Sequence, residues 1–94
     1  MNRTVFFLSD GTGITAETFG GAIMAQFEIT PRRVRLPYID SVDKAHQIVR
    51  QINHTAEIEG QRPIVFSTLV NMEVLSVIKA NCHGMLLDMF ATFV

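Results

Sequence analysis

The apolar and polar positions divide the chain into short and long segments in alternation. Thr4–Leu8 is an apolar run of β-branched and aromatic residues without polar alternation. Such a run predicts a central strand of a parallel sheet, covered on both faces. It stops at Ser9-Asp10. From about residue 15 to residue 27, Ala16, Phe19, Ile23 and Phe27 recur at spacings of three and four. That spacing predicts a helix with this apolar face turned inward. Gly20-Gly21 within it costs roughly 1 kcal/mol per glycine relative to alanine, a cost that a close approach of helix to sheet would explain. Residues 32–39 read as a second, more polar strand after Pro31. Arg32, Arg33, Arg35 and Pro37 suit a sheet edge.

A second helix is expected between an N-cap at Asp40 or Ser41 and a C-cap at Gly60. Val42, Ala45, Ile48, Val49, Ile52 and Ala56 form its buried stripe, with His46 and His54 as surface residues. Residues 63–68 read as a third strand. A third helix begins at Asn71, turns Val74, Leu75 and Ile78 inward, and ends near residues 81–84. Met85–Asp88 is a short fourth strand, and residues 89–94 begin a further element. The Cys82-His83 pair falls at a helix-to-strand return, on the opposite end of the sheet from the glycines that follow the first strand.

This order predicts one α/β domain over residues 1–94, a parallel sheet of about four strands with βαβ crossovers. In such sheets ligands bind beyond the carboxyl ends of the strands, at the switch point of the topology. The polar residues that terminate the strands gather there: Ser9 and Asp10, Asp40, Ser67 and Thr68, and Asp88. Ser67, Thr68 and Asp88 are candidate rim residues of a site.

The corner of that rim is Ser9-Asp10-Gly11-Thr12-Gly13-Ile14-Thr15. A strand–tight loop–helix unit presents backbone amides and the positive end of a helix dipole, which favour an anion such as phosphate. Gly11 and Gly13 let the loop reverse and leave room for a ligand at the main chain. The hydroxyls of Ser9, Thr12 and Thr15 add donors. The candidate phosphate-binding residues are therefore Ser9, Gly11, Thr12, Gly13 and Thr15. Asp10 would repel a bare phosphate, so it needs a role: holding a cation, orienting a hydroxyl, acting as a base or capping a turn. It is the candidate catalytic residue. The alternative is a plain strand-to-helix turn with Thr15 as N-cap. Residues 11–16 also fit the G-x-G-x-x-A form of the dinucleotide fingerprint, and no G-x-x-x-x-G-K-[ST] loop occurs.

Composition narrows the classes. The net charge of −1 gives no footing for general nucleic-acid binding. The single cysteine excludes an internal disulfide and fits a reducing cytosol. The residues after Arg3 do not form a signal peptide, and no apolar run approaches the roughly 20 residues of a membrane helix. No metal-ligand spacing stands out. The apolar content of 48% and the apolar residues 89–94 lead us to expect the N-terminal fragment of a larger protein.

Asp10-Gly11-Thr12 resembles the second half of the haloacid-dehalogenase loop, but Leu8 stands where that chemistry needs its nucleophilic aspartate. A broader resemblance rests on residues 5–18 and Met24-Ala25-Gln26-Phe27, with support from Arg35-Leu36-Pro37-Tyr38 and residues 62–68. Across essentially the whole chain the sequence resembles the bifunctional kinase/pyrophosphorylases that regulate phosphoenolpyruvate synthase or pyruvate, phosphate dikinase. The resemblance implies a cytoplasmic regulatory protein that phosphorylates a threonine on its target with ADP as donor. It further implies removal of that phosphate by inorganic phosphate, releasing pyrophosphate. Family members are longer, and their Walker-type nucleotide loop lies in the later part, so the resemblance does not bring the nucleotide-binding P-loop domain to this chain. The 94 residues alone are expected to be inactive, with ADP and inorganic phosphate as substrates of the full-length family. The expected partner is the target enzyme; neither nucleic acid nor a membrane is expected, and a homodimer is compatible with the chain. Two other readings stay open. One is a fragment of a dinucleotide-binding oxidoreductase, in which Asp40 would take the ribose hydroxyls. The other is a non-catalytic α/β interaction module that meets its partner through Arg32, Arg33 and Arg35.

Overall fold

A computed structural model describes residues 3–28 and 30–90. In chain order the elements are β1 (Thr4–Leu8), α1 (Ile14–Gln26), β2 (Arg32–Leu36), α2 (Val42–Glu59), β3 (Ile64–Ser67), α3 (Met72–Asn81) and β4 (Met85–Asp88). The four strands form one parallel sheet in the order β2-β1-β3-β4. The expected α/β class and strand count hold. β1 is central and wholly buried, which is why it needs no polar alternation.

Alternate residues of the inner strands feed two cores. Phe6, Leu8 and Val65 face α2 and α3, where they meet Ala45, Val49, Ile52, Val74, Leu75 and Ile78. Val5, Phe7, Ile64 and Phe66 face α1, where they meet Ala16 and Met24. The chain steps from β1 to β2 in one direction and returns across β1 to β3 in the other. Right-handed crossovers then place α1 on one face and α2 and α3 on the other. The reversal lies between β1 and β3, and the crevice above their carboxyl ends is the switch point.

The caps of α2 are those the residues dictate. Ser41 Oγ accepts from Lys44 N at 3.2 Å, and Gly60 closes the helix in the left-handed region at φ 65°. Asn71 Oδ1 caps α3, accepting from Glu73 N at 2.9 Å and Val74 N at 3.2 Å. His46 and His54 are exposed on α2. Cys82 packs at the margin of the α2/α3 core, and its Sγ accepts from Gly84 N at 3.2 Å. Burial pushes the Cys82 thiol up from its ordinary pKa, against the smaller opposing pulls of the Gly84 amide and Arg62.

Several expectations need correction. The inward face of α1 is Ala16, Gly20 and Met24, whereas Phe19, Ile23 and Phe27 are exposed. The cause is steric. A Cβ on Gly20 would lie 2.5 Å from Phe7 Cε1 and 2.9 Å from Phe66 Cδ2. The two rings stack with centroids 5.7 Å apart, and only a residue without a side chain lets the helix settle on them. α1 has Gly13, not Thr15, at its N-cap, in the left-handed region at φ 84° and without a side-chain hydrogen bond. β2 ends at Leu36 rather than residue 39, because Tyr38 also takes a positive φ of 59°. β3 is shorter by a residue at each end than residues 63–68. Residues 89–90 form a turn, and the remainder of the further element expected at 89–94 lies outside the described residues.

Candidate functional site

The loop after β1 is held from the β2 side. Ser9 N donates to Leu36 O at 3.3 Å, Ile39 N to Ser9 O at 2.9 Å, and Tyr38 N to Gly11 O at 2.8 Å. Ser9 is buried, and its Oγ accepts from Gly11 N at 3.0 Å, so that amide is already satisfied. Ile14 N reaches Thr12 Oγ1 only at 3.5 Å. Glu17 N donates to Gly13 O at 3.0 Å, which starts the helix. Among the described residues, the amides of Asp10, Thr12, Gly13, Thr15 and Ala16 have no acceptor. α2 and α3 have their first amides met by Ser41 and Asn71. The N-cap of α1 offers no such side chain, and beyond the long Ile14 N to Thr12 Oγ1 contact the Thr15 and Ala16 amides of its first turn stay free, an arrangement that can receive an anion.

Of the residues with free amides, all but the buried Ala16 border a crevice of about 290 Å³ lined by Ser9, Asp10, Gly11, Thr12, Gly13, Thr15, Thr68, Val70 and Phe90. All the candidate residues of the β1–α1 loop therefore meet at one place, together with Thr68. Thr68 N donates to Leu8 O at 3.1 Å, which fixes the far wall to the end of β1. Asp10 is exposed at the mouth and makes no ion pair among the described residues. The other two rim candidates stand apart. Ser67 is fully buried, with its Oγ accepting from Leu69 N at 3.2 Å. Asp88 Oδ1 accepts from Phe90 N at 3.1 Å, its Oδ2 lies 3.8 Å from Lys79 Nζ, and it does not border the crevice. Asp40 lies four residues beyond β2 and pairs with Lys44 at 3.1 Å.

One residue beside the loop, Arg35, was assigned by its sequence to a basic edge or partner-contact strand and not to this loop. Arg35 is in register with Phe7 and so faces α1. A Cβ on Gly13 would lie 2.9 Å from Arg35 Cγ and 3.0 Å from its Cδ. The arginine stem thus crosses the start of α1, and its guanidinium has no partner among the described residues. The strand parity that puts Arg33 and Arg35 on one face and Val34 and Leu36 on the other was the available signal. Among the described residues no cluster of His, Cys, Asp and Glu could hold a metal ion, and no helix is long and apolar enough to cross a membrane.

The sheet order, with helices on both faces and an amide-lined crevice at the reversal, defines an open, doubly wound α/β domain. A family profile described as kinase/pyrophosphorylase matches residues 5–94, and the chain belongs to that family. It is 76% identical over 93 residues to a protein of Polaromonas naphthalenivorans (strain CJ2), covering 99% of this chain and 34% of that protein. It is 78% identical over 92 residues to one of Polaromonas sp. (strain JS666 / ATCC BAA-500), and 77% identical over 92 residues to one of Variovorax paradoxus (strain S110). Each match covers 98% of this chain and 34% of the relative. All three relatives are provisionally named phosphoenolpyruvate synthase regulatory proteins. The chain spans about a third of the length of these curated relatives. The family offers no support for the oxidoreductase reading, and the ion pair of Asp40 with Lys44 gives it none either.

Proposed function

We propose that this chain is the leading α/β domain of a cytoplasmic regulatory phosphotransferase and that its β1–α1 loop holds the phosphoryl group in transit. The target is phosphoenolpyruvate synthase or pyruvate, phosphate dikinase. In one direction a threonine oxygen of the target attacks the terminal phosphorus of ADP, AMP leaves, and the threonine proton must be taken up. In the other, an oxygen of inorganic phosphate attacks the phosphothreonine phosphorus. The bond to the threonine oxygen breaks, pyrophosphate departs and the hydroxyl regains its proton. Asp10, exposed at the edge of the crevice, would orient that hydroxyl or exchange its proton. The amides of Thr12, Gly13, Thr15 and Ala16 would hold phosphoryl oxygens, and the unpaired Arg35 would add charge beside them. The nucleotide would be held by the two thirds of the relatives that this chain does not span.

The observation that carries this reading is the set of unpaired amides around a crevice of about 290 Å³ at the switch point. Titration of the ¹⁵N-labelled chain with inorganic phosphate and pyrophosphate tests it. Saturable shifts are expected at Thr12, Gly13, Thr15 and Ala16, and they should vanish in Gly13→Ala, whose φ of 84° disfavours a Cβ. Unchanged amides at millimolar ligand would overturn the cradle. The 94-residue chain alone is expected to transfer no phosphate from ADP to either target.

A further inference from the structure

The two faces of the sheet are covered unequally. α2 and α3 lie side by side and seal one face. Among the described residues the other carries α1 alone, packed on β1 and β3. Beside α1 the sheet continues through β4, where Leu87 is in register with Phe66 and so points to the α1 side. No described helix covers it. The result is a trough of about 700 Å³, with Phe66 in its floor, Phe19 and Ile23 along one wall, and Leu87, Met89 and Phe90 along the other. Phe19 is 58% exposed, Ile23 43% and Leu87 41%.

We infer that this trough is the seat of a helix from the two thirds of the family's chain that lies beyond the part matched here, lying alongside α1 as α3 lies alongside α2. Three observations commit the occupant. Thr15, Phe19 and Ile23 recur every four residues along the open flank of α1, the ridge that a neighbouring helix packs against. The lining is apolar apart from Thr15, Thr68 and Asp88 at one end, so the occupant presents a stripe of aliphatic or aromatic side chains. The relatives are about three times the length of this chain, which supplies the residues for such a helix within the same molecule. Thr15, Thr68 and Phe90 line both the trough and the anion crevice. A seated helix would therefore also wall the crevice; the seating itself does not rest on the phosphate reading, and only this consequence does.

The test compares this chain with a full-length protein in which it replaces the matching third of the Polaromonas naphthalenivorans relative. Hydroxyl-radical modification of Phe19, Ile23 and Leu87 should fall several-fold in the full-length protein. Phe19→Glu with Leu87→Glu should lower the melting temperature of the full-length protein and leave that of the isolated chain nearly unchanged. Equal modification in both proteins would overturn the proposal. So would protection already present in the isolated chain through a dimer, seen by light scattering and abolished by the same substitutions, since a second copy would then be the occupant. Phosphate titration of the isolated chain reads the crevice separately, so a failed seating and a failed cradle give different patterns.

Discussion

On its α2/α3 face the sheet is finished, and on its α1 face it is half open. α2 has one apolar stripe, Ala45, Val49 and Ile52, and charged residues around the rest, so it is satisfied by a single partner surface. α1 has two apolar faces. Ala16, Gly20 and Met24 meet the sheet, while Phe19 and Ile23 lie exposed beside the bare flank of β4. A helix apolar on more than one side is built to be enclosed, and one strand layer encloses only one side. The contrast shows how a small domain can have a complete core over its central strands and still carry an apolar surface meant for a further element. The crevice of the β1–α1 loop adjoins the unfinished side, sharing Thr15, Thr68 and Phe90 with the trough.

The largest effect should come from the finished face. Ile52 is fully buried there, and Ile52→Ala should cost about 2–4 kcal/mol in urea unfolding of the isolated chain. Phe19→Ala on the open face should stay within about 0.5 kcal/mol under the same conditions. Similar losses at the two positions would abolish the distinction between the faces. A middle-sized effect is expected at Gly20. Alanine there gains up to about 1 kcal/mol of helix propensity. It also places a Cβ 2.5 Å from a Phe7 ring that is itself stacked on Phe66, and overpacking of this kind costs about 1–3 kcal/mol. The net change should be destabilising, read as a lower urea midpoint; a raised midpoint would mean that α1 floats off the sheet.

The smallest effect is chemical. Cys82 packs against the finished face, and burial raises its thiol pKa above the ordinary value. A raised pKa leaves less thiolate at a given pH, so alkylation in the folded chain should be slower than in urea and should accelerate only at higher pH. Faster reaction in the folded chain near neutral pH would show that this edge of the core is open.

Where one physical cause acted alone, the sequence carried the answer. The unbroken apolarity of Thr4–Leu8 announced a central strand, and Ser41 and Gly60 marked the ends of α2 through their own hydrogen-bonding and φ preferences. α1 was misread because periodicity registers apolar side chains, and Gly20 faces the sheet by having none. Residues 9–13 were legible as a tight turn between β1 and α1 that borders a crevice, because glycine and hydroxyl chemistry is local. That Ser67 and Asp88 would turn to internal partners was only partly so: Leu69 N and Phe90 N lie two residues further along the chain, as local side-chain-to-amide turns allow, whereas Lys79 meets Asp88 only through the fold. Arg35 was visible only as a charge until the register of β2 against β1 placed it over Gly13.

The clasp between the β1–α1 loop and the chain leaving β2 has a geometric corollary. In a trans peptide the carbonyl and the next residue's N–H point in opposite directions, and the described chain has no cis bonds. Ile39 N holds Ser9 O, and Tyr38 N holds Gly11 O. The N–H vectors of Asp10 and Thr12 are thereby turned away from β2, toward the side where β3 and the crevice lie. An incoming oxyanion would meet dipoles already oriented, with little reorganisation left to oppose its capture.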